Sequence, residues 1–263
     1  MKKIRTLAMI DYVRERKYCS TSELQRAFDV SPATIQRDIA EIIRSKKLRK
    51  VHGGVAAIET SSNSSSASAA DERFGDRVMI HPDEKRTIAK LAISLISEGD
   101  VLFLDSSTTA LFLARELRTT SFKNITIITN SASLAEEFRS SALPYSLICL
   151  GGTYDAHLNA YLGKATLEWL KRYTLDKAFI SAAGITSRGL FTHHEALAEF
   201  LDHVMRAAKV SHALVDSSKF NKNAVFGICS LADVPSLVTD APPPPEIAEG
   251  VGRVIQPSNN RDV

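Results

Sequence analysis

A polar tract, SSNSSSAS at residues 61–68, places six serines in eight positions and divides this chain in two. Such a segment buries too little apolar surface to join a core and reads as a flexible linker. The expected organisation is a head at 1–57, a linker at 58–72 and a body at 73–263. With 263 residues, 44% of them hydrophobic, the chain has apolar material for a core on each side of the tract, which excludes a wholly disordered protein. No apolar run approaches the ~18–20 residues of a membrane span. Asp11 and Arg14 interrupt the apolar stretch that follows the basic start, so no signal peptide is expected. Cys19, Cys149 and Cys229 are odd in number and far apart. They form neither a disulfide framework nor a zinc motif, and a reducing cytoplasm is the expected setting.

The formal net charge of +3 hides an asymmetry. Residues 1–57 hold thirteen Lys and Arg against six Asp and Glu, or +7, and the remainder holds twenty against twenty-four, or −4. A basic head on a mildly acidic body fits a domain that meets a polyanion. A solvated basic helix surface has the same composition, so charge alone does not choose between the two.

The local patterns of the head are specific. Leu7, Ile10 and Val13 line one side of a first helix. Ser20 to Glu23 has the form of a capping box, which opens a short second helix carrying Leu24 and Phe28 and ending at Asp29 and Val30. Ser31 and Pro32 then supply an N-cap and a first-turn proline for a third helix, with Ile35, Ile39 and Ile42 facing inward. Two short helices joined by a tight turn make a helix-turn-helix. Ala33, Thr34, Gln36 and Arg37 fall outside the Ile stripe, near the end that enters the major groove in such motifs. Gln can pair bidentately with adenine and Arg with guanine, while the first-turn amides beside Ser31 can hold a phosphate. In LRKVHGGV (48–55), Leu48 and Val51 face inward and Arg49, Lys50 and His52 outward, with a turn at Gly53 and Gly54. The segment suits a β-wing along the DNA backbone. The alternative is a three-helix interaction module with a solvated basic face.

In the body, apolar runs alternate with helical patterns. The runs are VLFLD (101–105), ITIITN (125–130), YSLICLGG (145–152), KAFISAAG (177–184), HALVDSS (212–218) and SLVTD (236–240). Ile88, Leu91, Ala92, Leu95 and Ile96 keep helical spacing, as do Leu197, Phe200, Leu201 and Val204. Strands apolar on both faces and separated by helices predict an α/β domain with a mostly parallel sheet. PPPP (242–245) is expected to end regular structure. In LFLDSSTTALFLARELR (102–118) a strand runs through four hydroxyl residues, Ser106, Ser107, Thr108 and Thr109, into a helix. One Ser or Thr would serve as an N-cap; four in succession point to an anion held by hydroxyls and helix amides. Thr129 with Asn130, and Gly151 with Gly152, also end strands, where open α/β sheets gather ligands, although such pairs serve equally as plain turns.

TSELQRAFDVSPATIQRDIAEI followed by LRKVHGGV resembles the N-terminal region of the DeoR family of bacterial transcriptional regulators. The family commonly has two arginines before the Asp; here Gln36 precedes Arg37 and Asp38. The body resembles the family's C-terminal effector domain through EKRTIAKLA (84–92), FLDSSTT, ITIITNS, ICLGG, AFISAAGI and LVDSSKFN (214–221). The resemblance implies a winged helix-turn-helix followed by a fold similar to ribose-5-phosphate isomerase and coenzyme A transferases. It also implies a phosphorylated sugar or related metabolite as effector. By position, the phosphate sits on Ser106 to Thr109, with Asp105, Thr129, Asn130, Gly152 and Lys219 about it. Ser107 stands where the family usually has Gly.

The rival reading is an enzyme, a sugar-phosphate isomerase with an accessory DNA-binding head. Proton transfer needs a positioned carboxylate base. Related isomerases carry an acid-rich loop where this chain has Ser181, Ala182 and Ala183, so the catalytic set is incomplete although Glu195, Asp216 and Lys219 are available. His193, His194 and Glu195 are spaced as a polar loop at a helix start rather than as metal ligands. Trp169 suits packing or a subunit interface. Neither cofactor nor metal is expected. The expectation is a cytoplasmic regulator that binds double-stranded operator DNA, represses a carbohydrate-utilisation operon and is released by a phosphorylated sugar. It is expected to be a dimer or higher oligomer, since one head on a long linker gains useful affinity only beside a second. A constitutive architectural binder whose body only oligomerises is the third possibility.

Overall fold

In a computed structural model, residues 2–16, 18–28, 30–44, 48–51, 54–57, 73–139 and 145–258 are described. The chain divides into two compact units, Met1–Ser66 and Ala67–Val263.

The first unit runs α1 (Lys2–Arg16), β1 (Tyr18–Ser20), α2 (Thr21–Phe28), α3 (Pro32–Arg44), β2 (Leu48–Val51) and β3 (Gly54–Ala57). Its helix starts are set by side chains. The Glu23 amide donates to Ser20 Oγ at 3.1 Å and the Thr34 amide to Ser31 Oγ at 3.3 Å, each satisfying a first-turn donor. Ile35, Ile39 and Ile42 of α3 pack with Met9, Ile10, Val13, Leu24, Leu48 and Val55 in one core. The side chains of Leu7 and Val51 lie outside the described residues, as do Gly53 and the 58–72 tract. The three strands pair antiparallel in the order β1-β3-β2, so the β2–β3 hairpin is anchored on the strand that precedes the helix-turn-helix. Gly54 permits this, because a Cβ there would lie 2.2 Å from the Cys19 carbonyl oxygen. Arg5 on α1 donates to the buried Asp38 carboxylate of α3 at 2.8 Å, fixing the rotation of α3 about its axis.

The second unit opens with α4 (Phe74–Val78) and α5 (Pro82–Ile93) and continues β4 (Val101–Leu104), α6 (Thr108–Leu117), β5 (Thr126–Thr129), α7 (Ala132–Phe138) and β6 (Ser146–Cys149). A hairpin of β7 (Thr153–Asp155) and β8 (Ala160–Leu162) precedes α8 (Lys164–Leu170) and β9 (Leu175–Ile180). Then come β10 (Gly184–Thr186), β11 (Gly189–Thr192), α9 (Glu195–Ala207), β12 (Ala208–Leu214), β13 (Phe226–Cys229), β14 (Ser236–Val238), α10 (Pro245–Ala248) and β15 (Val254–Ile255).

Seven strands form one parallel sheet in the order β15-β14-β12-β9-β4-β5-β6. The side chains of β4 explain the apolar run. Leu102 and Leu104 join a core with Ile88, Leu113 and Leu134 of α5, α6 and α7, while Phe103 joins a second core with Leu170 and Phe200 of α8 and α9. Both faces are therefore covered. The prolines at 242–245 do not end regular structure as expected from the sequence. Pro244 and Pro245 occupy the cap and first position of α10, where a missing N–H costs nothing, and β15 then extends the sheet.

Candidate functional site

In the head, Ser31, Ala33, Gln36 and Arg37 are exposed and Thr34 is half-buried, while Ile35, Asp38 and Ile39 between them are buried. The helix thus separates a polar, exposed face from the core. The hydroxyls of Ser31 and Thr34 pair at 2.9 Å. Lys50 on β2 is exposed; the side chain of Arg49 and all of His52 lie outside the described residues.

In the body, chain order reverses between β4 and β9, so the loops that leave these neighbouring strands diverge and open a crevice at their C-terminal ends. A cavity of about 330 Å³ lies there. Its floor is the loop after β4. Asp105 is buried, with Oδ1 accepting the Ser107 amide at 2.9 Å and Oδ2 the Ser181 amide at 2.8 Å, which ties that loop to the one after β9. Burial pushes the Asp105 carboxyl up, against the hydrogen bonds of Ser107 and Ser181 and the charge of Lys219. Lys219, after β12, reaches Ser181 Oγ at 3.4 Å and Asp216 Oδ2 at 3.6 Å. Burial lowers the Lys219 ammonium despite Asp216. Burial opposes ionisation of Asp216, but Lys219, Ser218 and Lys85 together hold its carboxyl below the ordinary range.

The four hydroxyls of 106–109 have different fates. Ser106, Ser107 and Thr108 line the cavity. Ser107 caps α6, its Oγ accepting the Ala110 amide at 3.0 Å, and its hydroxyl also hydrogen-bonds Asp105. That engages the side chain on both sides. Thr109 is fully buried, outside the cavity lining, with no partner for its Oγ1. The Leu111 amide is taken by the Ser107 carbonyl at 3.2 Å, and the amides of Thr108 and Thr109 are first-turn donors with no intrahelical acceptor.

Three other residues expected about the phosphate lie outside the lining. Thr129 Oγ1 donates to the Leu104 carbonyl at 2.7 Å and accepts the Ser131 amide at 3.0 Å, pinning the end of β5. Asn130 is buried and donates to the Tyr161 carbonyl at 3.2 Å. Gly152 is a turn glycine: a Cβ would meet Thr166 Oγ1 at 2.0 Å and the Leu162 carbonyl at 2.7 Å. All three belong to the β5–β6 side of the sheet, beyond the β4–β9 junction.

The structure adds walls absent from the sequence reading. Arg77 of α4, His81, and Lys85 of α5 line the cavity, together with His157 from the β7–β8 turn and His193 and His194 before α9. The rings of His157 and His194 meet at 5.6 Å. Burial lowers His194, with the Asp155 carboxylate opposing. Lys85 is buried and falls to about 8 through burial and the nearby Lys219 charge. Four basic side chains, Arg77, Lys85, Lys219 and Lys222, thus line the cavity against two acidic ones, Asp105 and Asp216. Among the described residues, no cluster of His, Cys, Asp and Glu could hold a metal ion, and no helix is long and apolar enough to cross a membrane.

Residues 5–61 match the DeoR-like helix-turn-helix domain, and residues 80–241 match the DeoR C terminal sensor domain. The glycerol-3-phosphate regulon repressor of Escherichia coli (strain K12) is 32% identical over 249 residues, covering 92% of each chain. The HTH-type transcriptional regulator IolR of Bacillus subtilis (strain 168) is 32% identical over 244 residues, again 92% of each. A ribose 5-phosphate isomerase of Methanocaldococcus jannaschii is similar over 53% of this chain and 54% of its own, at 22% identity and TM-score 0.38. With a winged helix-turn-helix in one unit and a parallel α/β sensor fold in the other, the chain belongs to the DeoR family of DNA-binding transcriptional regulators.

Proposed function

We propose that the chain represses a carbohydrate-utilisation operon from the cytoplasm, as a homo-oligomer, and is released when a phosphorylated sugar or related metabolite occupies the body. Residues 1–57 hold operator DNA through Ser31, Ala33, Thr34, Gln36, Arg37, Lys50 and the wing positions Arg49 and His52. The 58–72 linker leads to the effector-binding body, 73–263. One observation carries the effector reading: at the β4–β9 junction, the N-terminus of α6, with Ser106 and Thr108, and Lys219 line the same cavity, which is rich in cations. That donor set is complementary to a phosphate, and the volume is near the lower end of ordinary ligand pockets, about 300–1,000 Å³.

The same geometry favours binding over turnover. Isomerisation by proton transfer needs a carboxylate free to take a proton from the substrate. Each oxygen of Asp105 is engaged by a backbone amide, and Asp216 is shared between Ser218 and Lys219.

The test is a thermal-shift series on the full chain with phosphorylated sugars of three to six carbons and their unphosphorylated parents. A selective ligand at a hundred times its Kd adds about 2.7 kcal/mol to stability. Thr108→Val should reduce that shift and the ligand's release of operator DNA, with DNA affinity in the absence of ligand unchanged. Equal shifts from parents and phosphates would refute the anion site, and turnover of any phosphate by the protein would restore the enzyme reading.

A further inference from the structure

Lys85 belongs to the first full helix of the body, yet it grips the segment before it. Its Nζ donates to the carbonyl of Arg77 at 2.6 Å and to the carbonyl of Ile80. The first carbonyl belongs to α4 and the second lies just past its end; α4 is the first described element after the 58–72 tract and so the piece of the body through which the chain leads to the head. The same ammonium lines the cavity. An ammonium has three N–H donors and no acceptor. Two are spent on α4 and the turn that follows it, which leaves the third for whatever occupies the cavity.

Two further features belong to this segment. His81, between α4 and α5, sits at φ 50° and ψ 51°, a left-handed conformation that a non-glycine residue holds only where its surroundings impose it. The two carbonyls gripped by Lys85 lie four residues before His81 and immediately before it. Arg77, on α4 itself, also lines the cavity, so α4 offers a side chain to the ligand as well as its backbone to Lys85. Lys219 lies close enough to Lys85 to disfavour its charge. An anion seated among them relieves that repulsion and fixes Lys85 in its charged, three-bonded state.

We propose that Lys85 is the positioning residue that couples cavity occupancy to the head: a bound phosphate takes its third N–H, completes its coordination and pins α4 and His81 in the conformation seen here. This rests on the anion-site reading above but adds a direction, since occupancy orders the segment next to the linker rather than loosening it. A small local change at one residue then alters the anchoring of the chain that carries the DNA-binding unit. Such coupling requires that the ligand distinguish two states of the segment, and the third hydrogen bond with the relieved repulsion supplies the difference.

The experiment is hydrogen exchange on the full-length protein, with and without saturating inorganic phosphate, and again with glucose 6-phosphate. Peptides covering 73–81 are expected to exchange at least fivefold more slowly when the anion is bound. In Lys85→Met, which is itself expected to bind phosphate more weakly, that difference should vanish even at a phosphate concentration raised until 105–110 is protected as in the wild type. Lys85→Gln, which can reach one carbonyl but carries no charge, should behave like Lys85→Met and serves if the methionine variant does not fold. Unchanged exchange at 73–81 in the wild type, with 105–110 protected, overturns the role of Lys85 and leaves the anion site standing. So does protection of 73–81 that persists in both variants. Absence of protection at both segments refutes the anion site, and the inference falls with it.

Discussion

Replacing Ser107 with alanine separates capping from ligand binding at the floor of the cavity. The hydroxyl accepts the Ala110 amide at 3.0 Å and hydrogen-bonds Asp105, while the Ser107 amide donates to Asp105 at 2.9 Å and its carbonyl accepts the Leu111 amide at 3.2 Å. Alanine removes the first two interactions and keeps the backbone pair. Loss of an N-cap serine costs about 1 kcal/mol, and loss of the hydrogen bond to a carboxylate adds about as much again. For a unit the size of Ala67–Val263, a loss of about 2 kcal/mol corresponds to a fall in Tm of roughly 4–8 °C. The freed Ala110 amide then becomes a third first-turn donor for a bound phosphate. Recovering the capping part in the complex means about fivefold tighter anion binding, because 1.4 kcal/mol is tenfold. Ser107→Ala is therefore expected to melt earlier alone and to lose part of that deficit in saturating phosphate, as read by thermal melts across a phosphate titration. Ser107→Gly, the residue usual in the family, should cost only a few tenths of a kcal/mol at the cap itself. The reasoning is refuted if Ser107→Ala melts like the wild type, or if it stays folded but loses phosphate affinity tenfold. The second result would make the hydroxyl a ligand donor.

Three further outcomes are expected. Arg37→Ala should weaken operator binding, measured by fluorescence anisotropy across a salt series, and lower the magnitude of the salt slope by about 1 if it contacts a phosphate; an unchanged slope with relaxed sequence preference would instead mark it as a base reader. Asp38→Asn keeps an acceptor oxygen but removes the charge that Arg5 pairs with from α1. Because Arg5 can recover water, the expected cost to the head is about 2 kcal/mol, below the 3–5 of a fully buried pair, and exchange of α3 amides should rise while the body is unaffected. His212, stacked on Phe179 at 4.9 Å, is pushed down to about 4, first by burial and then by Arg253 and Lys177. The unfolded chain binds a proton between that value and 6.5 that the folded chain refuses, so this contribution is complete above 6.5 and is lost as pH falls toward 4. The span corresponds to at most ~3.4 kcal/mol, of which about 2 falls between pH 7 and pH 4.5. In urea titrations at pH 7 and pH 4.5, His212→Gln should remove that much pH dependence, and parallel curves for variant and wild type would contradict the assignment.

The head was legible because its signals are local. A hydroxyl before each helix fixes the starts of α2 and α3, and α3 adds a proline at its first position and isoleucines at helical spacing. Six of the seven strands of the large sheet were legible for a related reason, since each reads as an apolar run, whereas β15, of two residues beyond the prolines, was not. The short strands β7, β8, β10, β11 and β13, of three or four residues, carry too little pattern to detect. The cavity was only half legible. The hydroxyl run after β4 marks its floor, but which strand ends share that floor depends on sheet order. With β9 rather than β5 across the junction, Ser181 and Lys219 join Asp105, whereas Thr129, Asn130 and Gly152 support their own side of the sheet. His157, His193 and His194 come from loops whose proximity no local pattern encodes, although the paired histidines at the start of α9 were visible as an unusual polar step.

The two anion-facing surfaces of this chain should differ in their response to salt, and that difference bears on how one can control the other. The face around Gln36 and Arg37 is exposed, so on the proposed function its attraction for DNA is a matter of counterion release and weakens steeply as salt rises. The cavity instead buries its charges. Lys85 and Lys219 are both lowered chiefly by burial, and their mutual repulsion is shielded little by mobile ions. A phosphate, carrying about −1.5 to −2 at neutral pH, roughly offsets the excess of two basic side chains on the cavity wall, which an unphosphorylated sugar cannot do. Effector binding on this account holds across salt concentrations that change DNA affinity by orders of magnitude. The switch then needs no direct competition between the two anions. The coupling typical of allosteric proteins, about 1–3 kcal/mol, is of the size that relief of one buried like-charge pair and completion of one ammonium's hydrogen bonds can deliver, and Lys85 takes part in both.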